Sequence, residues 1–157
     1  MKVKVTPSKV HGNVKIPASK SMAHRALICA SLSDGTSIVS NVTNSKDIEA
    51  TIGCMKALGA KIKQLDETTY EVTGTNLFKQ EGNITCNANE SGSTLRFLIP
   101  LAACTNAKVK FLGQGRLLQR PMDVYANEFK EQNIEFNQSD KEIIVSGNLK
   151  AKNYVVQ

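Results

Sequence analysis

The chain has 157 residues and a net charge of +6, with 41% of residues hydrophobic and 22% charged. These proportions are typical of a soluble globular protein, and no apolar run approaches the length that spans a bilayer, which excludes a membrane-embedded class. Aromatic residues make up only 5% and tryptophan is absent, which argues against an aromatic platform for single-stranded nucleic acid. The positive charge therefore favours small anionic ligands.

Cysteine and histidine usage limits the metal and redox chemistry that the chain could carry. The four cysteines are widely spaced without a C-x-x-C pair, and the two histidines are His11 and His24, so the sequence argues against a zinc site. Unpaired thiols are typical of a reducing compartment, and the N-terminus lacks the apolar core of a signal peptide. We therefore expect a cytoplasmic protein that uses no metal.

The first half of the chain predicts two helices between short strands. Ser19 and Ser45 each precede an apolar run and can accept hydrogen bonds from the first turn of a helix. The predicted elements are, in order, a strand at 14–16, a helix from Ser19 to about Ser31, a strand at 37–42, a helix from Ser45 to a cap at Gly59, and a hairpin of strands 61–65 and 69–73.

The second half of the chain repeats this plan. Gly82-Asn83 in the second copy matches Gly12-Asn13 in the first. A third copy begins near Asn153 and stops at once, so we expect a chain cut from a longer protein. After an opening strand, we predict a helix from Ser91 or Ser93, which Pro100 should kink or shorten, and then a strand at 108–112. The next predicted helix has Pro121 in its first turn and Met122, Tyr125 and Phe129 on its inner face. Strands at 134–137 and 142–145 complete the second copy.

Hydrogen-bond donors cluster at the start of the first predicted helix. Ser19, Lys20 and Ser21 stand at its N-terminus, and Arg25 follows about one and a half turns later. Free backbone N–H groups and the helix dipole favour an anion there, although a solvated, capped helix start is the commoner explanation of such a motif taken alone. Asp47, at the next helix start, either serves the dipole of its own helix or pairs with Lys20 or Arg25.

Two later helix starts carry similar features. Gly92 lies between two serines and is followed by Arg96, a pattern that allows backbone amides to approach an anion. Arg120 directly precedes Pro121, with Arg116 upstream. An ordinary turn glycine and exposed loop arginines are the alternatives at each place. Repetition at three helix starts shifts the balance toward anion binding.

Four segments together resemble the N-terminal part of the 5-enolpyruvylshikimate-3-phosphate synthase family. The resemblance runs from Val5 through nearly the whole chain, in order and at family spacing. Its most specific part is the Ser-Lys-Ser-x-x-x-Arg motif, because the sister UDP-N-acetylglucosamine enolpyruvyl transferases have asparagine where Ser21 stands here. The four segments are PASKSMAHRALICASLSDGTSIVSN, SKDIEATIGCMKALGAKI, ESGSTLRFLIPLAA and GQGRLLQRP.

This resemblance implies an α/β (α+β) fold. Family members have two inside-out barrel-like lobes, each built of three βαβαββ units around a pseudo-threefold axis, and two of the three units of one lobe would be present here. The implied division is a leading strand at 1–12 that belongs to the other lobe in the family, a first unit at 13–80, a second at 81–150 and the beginning of a third at 151–157.

The resemblance also implies a reaction. The enolpyruvyl group of phosphoenolpyruvate passes to the 5-hydroxyl of shikimate 3-phosphate in chorismate biosynthesis, with release of phosphate and without a cofactor. The partners would be these small anions, with no nucleic acid and no membrane. The full-length family member would be monomeric, whereas the fragment would leave an apolar face open to self-association. We expect the fragment alone to be inactive.

Residue roles follow from the resemblance at matching positions. Lys20, Ser21 and Arg25 would bind shikimate 3-phosphate, while Lys20, Gly92 and Arg120 would bind phosphoenolpyruvate. The acid–base carboxylates would belong to the missing part, which leaves the catalytic residues unknown and Lys20 as the closest candidate. The expected supporting residues are Asp47, Ser93 and Arg96.

Two departures from the family pattern lie close together. Many members read Asn-Ala-Gly-Thr where this chain has Glu90 to Ser93, and proline where it has Phe97. Both lie beside the position where glyphosate mimics phosphoenolpyruvate in the family, so inhibitor sensitivity stays open. Three alternative functions also stay open: an enolpyruvyl transferase with another acceptor, a basic nucleic-acid-binding module, and a non-catalytic scaffold.

Overall fold

The computed structural model describes residues 2–9, 11–14 and 16–153 of the chain. These residues form an α/β arrangement, as expected, of four α-helices and seven strands. The helices are α1 (Lys20–Leu32), α2 (Lys46–Ala57), α3 (Gly92–Ala102) and α4 (Asp123–Glu131). The strands are β1 (Thr36–Val39), β2 (Lys61–Gln64), β3 (Tyr70–Thr73), β4 (Glu81–Asn87), β5 (Asn106–Leu112), β6 (Glu135–Gln138) and β7 (Ile143–Ser146).

The strands form two sheets with related topologies. The first has the order β1-β3-β2 and is antiparallel throughout. The second has the order β4-β5-β7-β6, in which β4 and β5 are parallel and the other pairs antiparallel. Strands β1, β3 and β2 thus correspond to β5, β7 and β6. The sheet order agrees with the internal repeat that the sequence predicts.

The predicted strand at 14–16 is wrong for the residues that the structure describes. Val14 and Ile16 lie outside any strand and are 85% and 83% exposed. The first sheet consequently lacks, within the described chain, a counterpart of β4 on the outer side of β1. Two apolar residues in alternation are a weak local signal, because a strand is stabilised only by its lateral partners. The leading segment 2–6 is likewise not a strand.

One hydrophobic core extends through both repeats and holds the helices together. Helices α1, α2 and α3 contact one another, and α2 also packs on β4. Burying a leucine or isoleucine side chain contributes about 1.5–3 kcal/mol each, so this core fixes the relative positions of the helix N-termini. Its largest fully buried members include Leu27, Ile48, Met55, Leu58, Leu95, Leu98, Ile99, Phe111 and Ile143.

Serine caps begin three of the helices, as the sequence predicts. The Ser19, Ser45 and Ser91 hydroxyl groups each accept a hydrogen bond of 3.3 Å from a backbone N–H in the first turn. Gly59 ends α2 with φ at +102°, a left-handed conformation that glycine adopts without strain. These caps satisfy backbone groups that every helix end leaves unpaired.

The two proline predictions have different outcomes. Pro121 was expected in the first turn of its helix, but Met122 is the N-cap of α4, so Pro121 lies outside the helix. Pro100 neither ends nor shortens α3, which continues to Ala102. Proline cannot donate to the carbonyl four residues earlier, and here that Arg96 carbonyl accepts a 2.9 Å hydrogen bond from the Tyr125 hydroxyl instead.

The remaining boundaries move by one to three residues. The predicted strand at 37–42 is β1 at Thr36–Val39, because Asn41 has a positive φ of 57° that ends extended structure. The hairpin is confirmed as β2 and β3. The last two strands each begin one residue later than predicted. Of the predicted third copy at 151–157, residues 151–153 are described and lie outside any helix or strand, and residues 154–157 lie outside the described part of the chain.

Candidate active site

A cleft of about 440 Å³ lies where the N-termini of α2 and α3 meet the segment before α4. Three of the predicted site residues line it directly from α3, and others reach it from separate parts of the chain. The shared core of both repeats holds these elements in place. The lining residues are Asp47, Glu90, Gly92, Ser93, Arg96, Phe97 and Arg120.

An ion pair joins the first helix to this cleft. The Lys20 Nζ atom donates to Asp47 Oδ2 at 2.6 Å, and the two side chains are 56% and 32% exposed. At such exposure the pair contributes only about 0–1 kcal/mol to stability, so its main effect is to orient the ammonium group. Of the alternatives for Asp47, pairing with Lys20 is confirmed, and the carboxylate also lies in the first turn of α2.

Arg25 extends from α1 toward α3. One of its guanidinium nitrogens donates to the Ser21 carbonyl oxygen at 2.9 Å. Its Cζ atom lies 5.1 Å from the ring centroid of Phe97, within the distance at which a cation is attracted to an aromatic face. Ser21 is exposed at the second position of α1. The N-terminal donors of α1 therefore lie beside the wall formed by α3.

Gly92 and Arg120 are in direct contact. A Cβ atom on Gly92 would clash with Arg120 Nη1. The absence of a side chain is therefore what admits the guanidinium to the N-terminus of α3. The Arg120 carbonyl also accepts a 2.9 Å hydrogen bond from Gln138, which ties its backbone to β6.

The third predicted cluster is only partly brought to this cleft. Arg116 is exposed at the start of a short 3-10 turn, Leu117–Gln119, and does not line the cleft, whereas Arg120 follows the turn and does. Ser93 and Arg96 lie on the first two turns of α3 and line the cleft as well. The anion-binding pattern thus converges from α1, α3 and the segment before α4.

Sequence reasoning missed a buried chain of hydrogen bonds beneath the cleft. His24 Nδ1 lies 2.7 Å from the Thr51 hydroxyl, Thr51 lies 2.7 Å from the Thr94 hydroxyl, and Thr94 donates to the Ser91 hydroxyl at 2.7 Å. All four side chains are buried. This series of hydrogen bonds links α1, α2 and α3 just below their N-terminal turns. Hydroxyl residues on otherwise apolar helix faces were the available signal.

Burial determines the protonation state of His24. Desolvation lowers the pKa of His24 below its ordinary value of 6.5, nearby Asp47 acts in the opposite direction, and Lys20 and Arg25 lower the pKa further. His24 Nε2 is buried without a hydrogen-bond partner. A neutral imidazole is the form that fits this position, because a second ring proton would be buried without an acceptor.

Glu90, which begins one of the two departures from the family pattern, contributes a second carboxylate to the site. It lines the cleft and also an adjoining cavity of about 650 Å³ that includes Asp47 and Gln114. Arg96 and Arg120 line the cleft beside the carboxylates of Asp47 and Glu90, and two further cations contact its lining residues, Lys20 at Asp47 and Arg25 at Phe97. This balance suits a ligand with more than one negative charge.

The described residues hold neither a cluster of metal ligands nor a helix suited to a membrane. They contain no group of three or more histidine, cysteine, aspartate or glutamate side chains placed to hold a metal ion. None of the helices in this part of the chain is both long and apolar enough to cross a bilayer. The groups that line the cleft are arginine and carboxylate side chains, one serine, backbone amides and one aromatic ring.

Comparison with known proteins identifies the family. The model of the family described as EPSP synthase (3-phosphoshikimate 1-carboxyvinyltransferase) matches residues 4–155. The chain belongs to the EPSP synthase family. The resemblance of the four sequence segments is therefore confirmed.

Two curated relatives carry the name 3-phosphoshikimate 1-carboxyvinyltransferase. A 3-phosphoshikimate 1-carboxyvinyltransferase of Clostridium perfringens is 46% identical over 99% of this chain and 37% of its own length. The Clostridioides difficile enzyme of the same name is 44% identical over 99% of this chain and 38% of its own length. The chain therefore spans little more than a third of these relatives.

The solved EPSP synthase structures share the fold. One from Acinetobacter baumannii has a TM-score of 0.77 and 20% identity, and covers 91% of this chain and 34% of its own. Another from the same organism has a TM-score of 0.74 and 18% identity, and covers 87% and 32% respectively. At this identity the similarity establishes the α/β architecture alone.

Proposed function

We propose that this chain supplies part of the substrate-binding site of a 3-phosphoshikimate 1-carboxyvinyltransferase. That reaction transfers the enolpyruvyl group of phosphoenolpyruvate to the 5-hydroxyl of shikimate 3-phosphate. The proposal is supported by membership of the family and carried by one observation, the convergence of cations from separate elements on the cleft beside Gly92. Unpaired thiols support a cytoplasmic location for this activity.

Shikimate 3-phosphate binds at the mouth of α1 in this proposal. One of its anionic groups is held by the Ser21 hydroxyl, by free N–H groups of the first helical turn and by Arg25. A helix N-terminus favours negative charge, and a planar guanidinium can bind two oxygens at once. The Ser21 carbonyl takes one N–H of Arg25, and the other donors of the guanidinium remain for the ligand.

Phosphoenolpyruvate binds against α3 in this proposal. Arg120 holds one of its anionic groups at two points while lying directly on the Gly92 backbone. Ser93 and Arg96 support this wall of the cleft. Because the reacting molecule carries both a phosphate and a carboxylate, one guanidinium is insufficient, and Lys20 contributes the second positive charge from α1.

Lys20 lies between the two binding regions and is the chain's closest candidate for contact with the reacting atoms. Asp47 holds its ammonium group through the 2.6 Å ion pair, which limits the rotamers open to this long side chain. An ammonium fixed in advance stabilises negative charge that develops during transfer without having to reorganise. Asp47 acts in this scheme as a positioning residue.

The test is calorimetric titration of the chain with shikimate 3-phosphate. Arg25→Ala should weaken binding about ten-fold or more, since a hydrogen bond to a charged group contributes about 1.5–3 kcal/mol. The matched control is Arg116→Ala, which removes the same charge from a site outside the cleft and should leave the affinity unchanged. Equal losses in the two variants, or no binding by the unaltered chain, would contradict the proposal.

A further inference from the structure

Phe97 is the one aromatic residue among those that line the cleft. It lies on the second turn of α3, is partly buried and packs against the core. Its ring faces the Arg25 guanidinium at 5.1 Å. Arg25 does not itself line the cleft wall that contains Gly92 and Arg120, so this aromatic contact connects the cation of α1 to that wall.

An exposed arginine must lose considerable freedom before it can bind a ligand. Fixing such a side chain costs conformational entropy, because several rotatable bonds lose their freedom. Two contacts limit Arg25 in the unliganded chain, the hydrogen bond to the Ser21 carbonyl at 2.9 Å and the Phe97 ring. The first is made within α1 itself, whereas the second sets the direction of the guanidinium relative to α3.

We propose that Phe97 is a positioning residue, whose aromatic face holds Arg25 beside the cleft in the orientation that binds an anionic group of the acceptor substrate. The inference rests on the proposed function for the identity of that ligand. A cation–π contact at a partly exposed site contributes about 0.5–1 kcal/mol. Loss of the ring should therefore weaken phosphate binding about two- to five-fold.

The ring, rather than apolar bulk, is the feature that carries this role. Phe97→Leu keeps an apolar side chain of similar reach and removes the aromatic face, while Phe97→Tyr keeps both. A series of ring-fluorinated phenylalanines at position 97 keeps the shape and progressively withdraws the negative charge of the face. Affinity should fall stepwise along the fluorinated series, a trend that a purely structural role would not produce.

The experiment measures the affinity of the chain for shikimate 3-phosphate and, separately, for inorganic phosphate by calorimetry. We expect Phe97→Leu to weaken binding and Phe97→Tyr to preserve it. In an Arg25→Ala background Phe97→Leu should have no further effect, because the two residues act as a unit. Losses that simply add would overturn the inference.

A spectroscopic readout tests the contact without any ligand. In the free chain the Arg25 Nε–H resonance should be shifted upfield by the ring current, and the shift should persist with Phe97→Tyr and disappear with Phe97→Leu. If the leucine variant fails to fold, the tyrosine and fluorinated chains still decide the matter. An Arg25 resonance that does not respond to any change of the ring would refute the proposed contact.

The outcomes separate this inference from the proposed function. Phosphate binding that depends on Phe97 through Arg25, without affinity for shikimate 3-phosphate, would support the inference and contradict the function. An affinity for shikimate 3-phosphate that stays the same along the fluorinated series and in Phe97→Leu would support the function and overturn the inference. Absence of binding for both anions would overturn both.

Discussion

At the scale of single residues, the candidate site depends on the absence of a side chain as much as on the presence of cations. Arg120 reaches the N-terminus of α3 only because Gly92 has no Cβ atom. Glycine permits such an approach between backbone and a charged group. The Glu-Ser-Gly-Ser segment and the Arg-Pro dipeptide therefore contact each other in the structure, although almost thirty residues separate them in the sequence.

Gly92→Ala is expected to reduce the affinity for phosphoenolpyruvate about ten-fold by pushing the guanidinium away from the cleft. The free energy of unfolding should change little, because the clash is with the flexible end of a side chain. Gly53→Ala is the matched control, since a Cβ there meets nothing within 4 Å and the helix interior favours alanine. Calorimetry and urea unfolding measure the two effects. A large loss of stability with unchanged affinity would contradict this account.

The buried imidazole of His24 makes stability depend on pH. Its pKa is lowered in the folded chain, chiefly by desolvation and against the influence of Asp47. As the pH falls below about 6.5, the unfolded chain binds a proton that the folded chain does not, and so the free energy of unfolding falls by at most about 1.4 kcal/mol per pH unit. His24→Asn should remove this component, while His11→Asn, at an exposed position, should retain it. Urea unfolding between about pH 7.5 and pH 5.5 measures the slope, and a slope that survives His24→Asn would refute the assignment.

At the scale of elements, side-chain hydrogen bonds connect helices to one another, whereas the backbone hydrogen bonds of a helix act only within that helix. The chain from His24 through Thr51 and Thr94 to Ser91 joins the N-terminal parts of α1, α2 and α3 in the core. Each of these buried hydrogen bonds constrains both the distance and the direction between its two groups, which apolar packing alone does not. The helix starts that carry the candidate site are therefore held in one arrangement by the elements themselves.

Pro100 gives an element-scale prediction. The Arg96 carbonyl that Pro100 leaves unpaired accepts from Tyr125 of α4, so Tyr125→Phe should lower the free energy of unfolding by about 0.5–1.5 kcal/mol. In a Pro100→Ala background the backbone N–H is restored to that carbonyl, and the tyrosine change should then have a smaller effect. Thermal unfolding of the four proteins of this cycle measures the coupling, and strictly additive losses would contradict it.

At the scale of the whole molecule, the chain spans 37% of the length of the Clostridium perfringens relative. Its described residues line the cleft with two arginines and two carboxylates, and one of these carboxylates, Asp47, is already engaged by Lys20. A carboxyvinyl transfer needs groups that add and remove protons as well as groups that bind anions. Exposed apolar residues such as Ile38 and Phe78 also keep self-association as a prediction, which light scattering at rising concentration would test.

We expect the 157-residue chain, supplied with phosphoenolpyruvate and shikimate 3-phosphate, to bind anions without releasing phosphate. A colorimetric phosphate assay measures this, with the Clostridium perfringens enzyme as the positive control. Lys20→Met is the internal control for any signal observed. Phosphate release that the unaltered chain produces and that Lys20→Met abolishes would show that the chain is competent for turnover by itself.

The amino-acid sequence alone determined the local elements and the chemistry of this protein. Serine caps and apolar runs predict the helices correctly, and the strands at 61–65 and 69–73 predict the hairpin, because capping and periodicity act between residues a few positions apart. The cations at helix starts likewise follow from local pattern. The strand at 14–16 was wrong, because strand pairing is a long-range interaction that a short apolar alternation does not specify.

Only the tertiary structure decided how these pieces meet. The ion pair of Lys20 with Asp47, the seat of Arg120 on Gly92 and the ring of Phe97 beneath Arg25 all join residues 27 to 72 positions apart. The burial of His24 with two threonines was equally out of reach, since a polar residue is read as exposed until its partners are placed. Distances across a core depend on the packing of every helix at once, and sequence spacing within one helix carries no information about them.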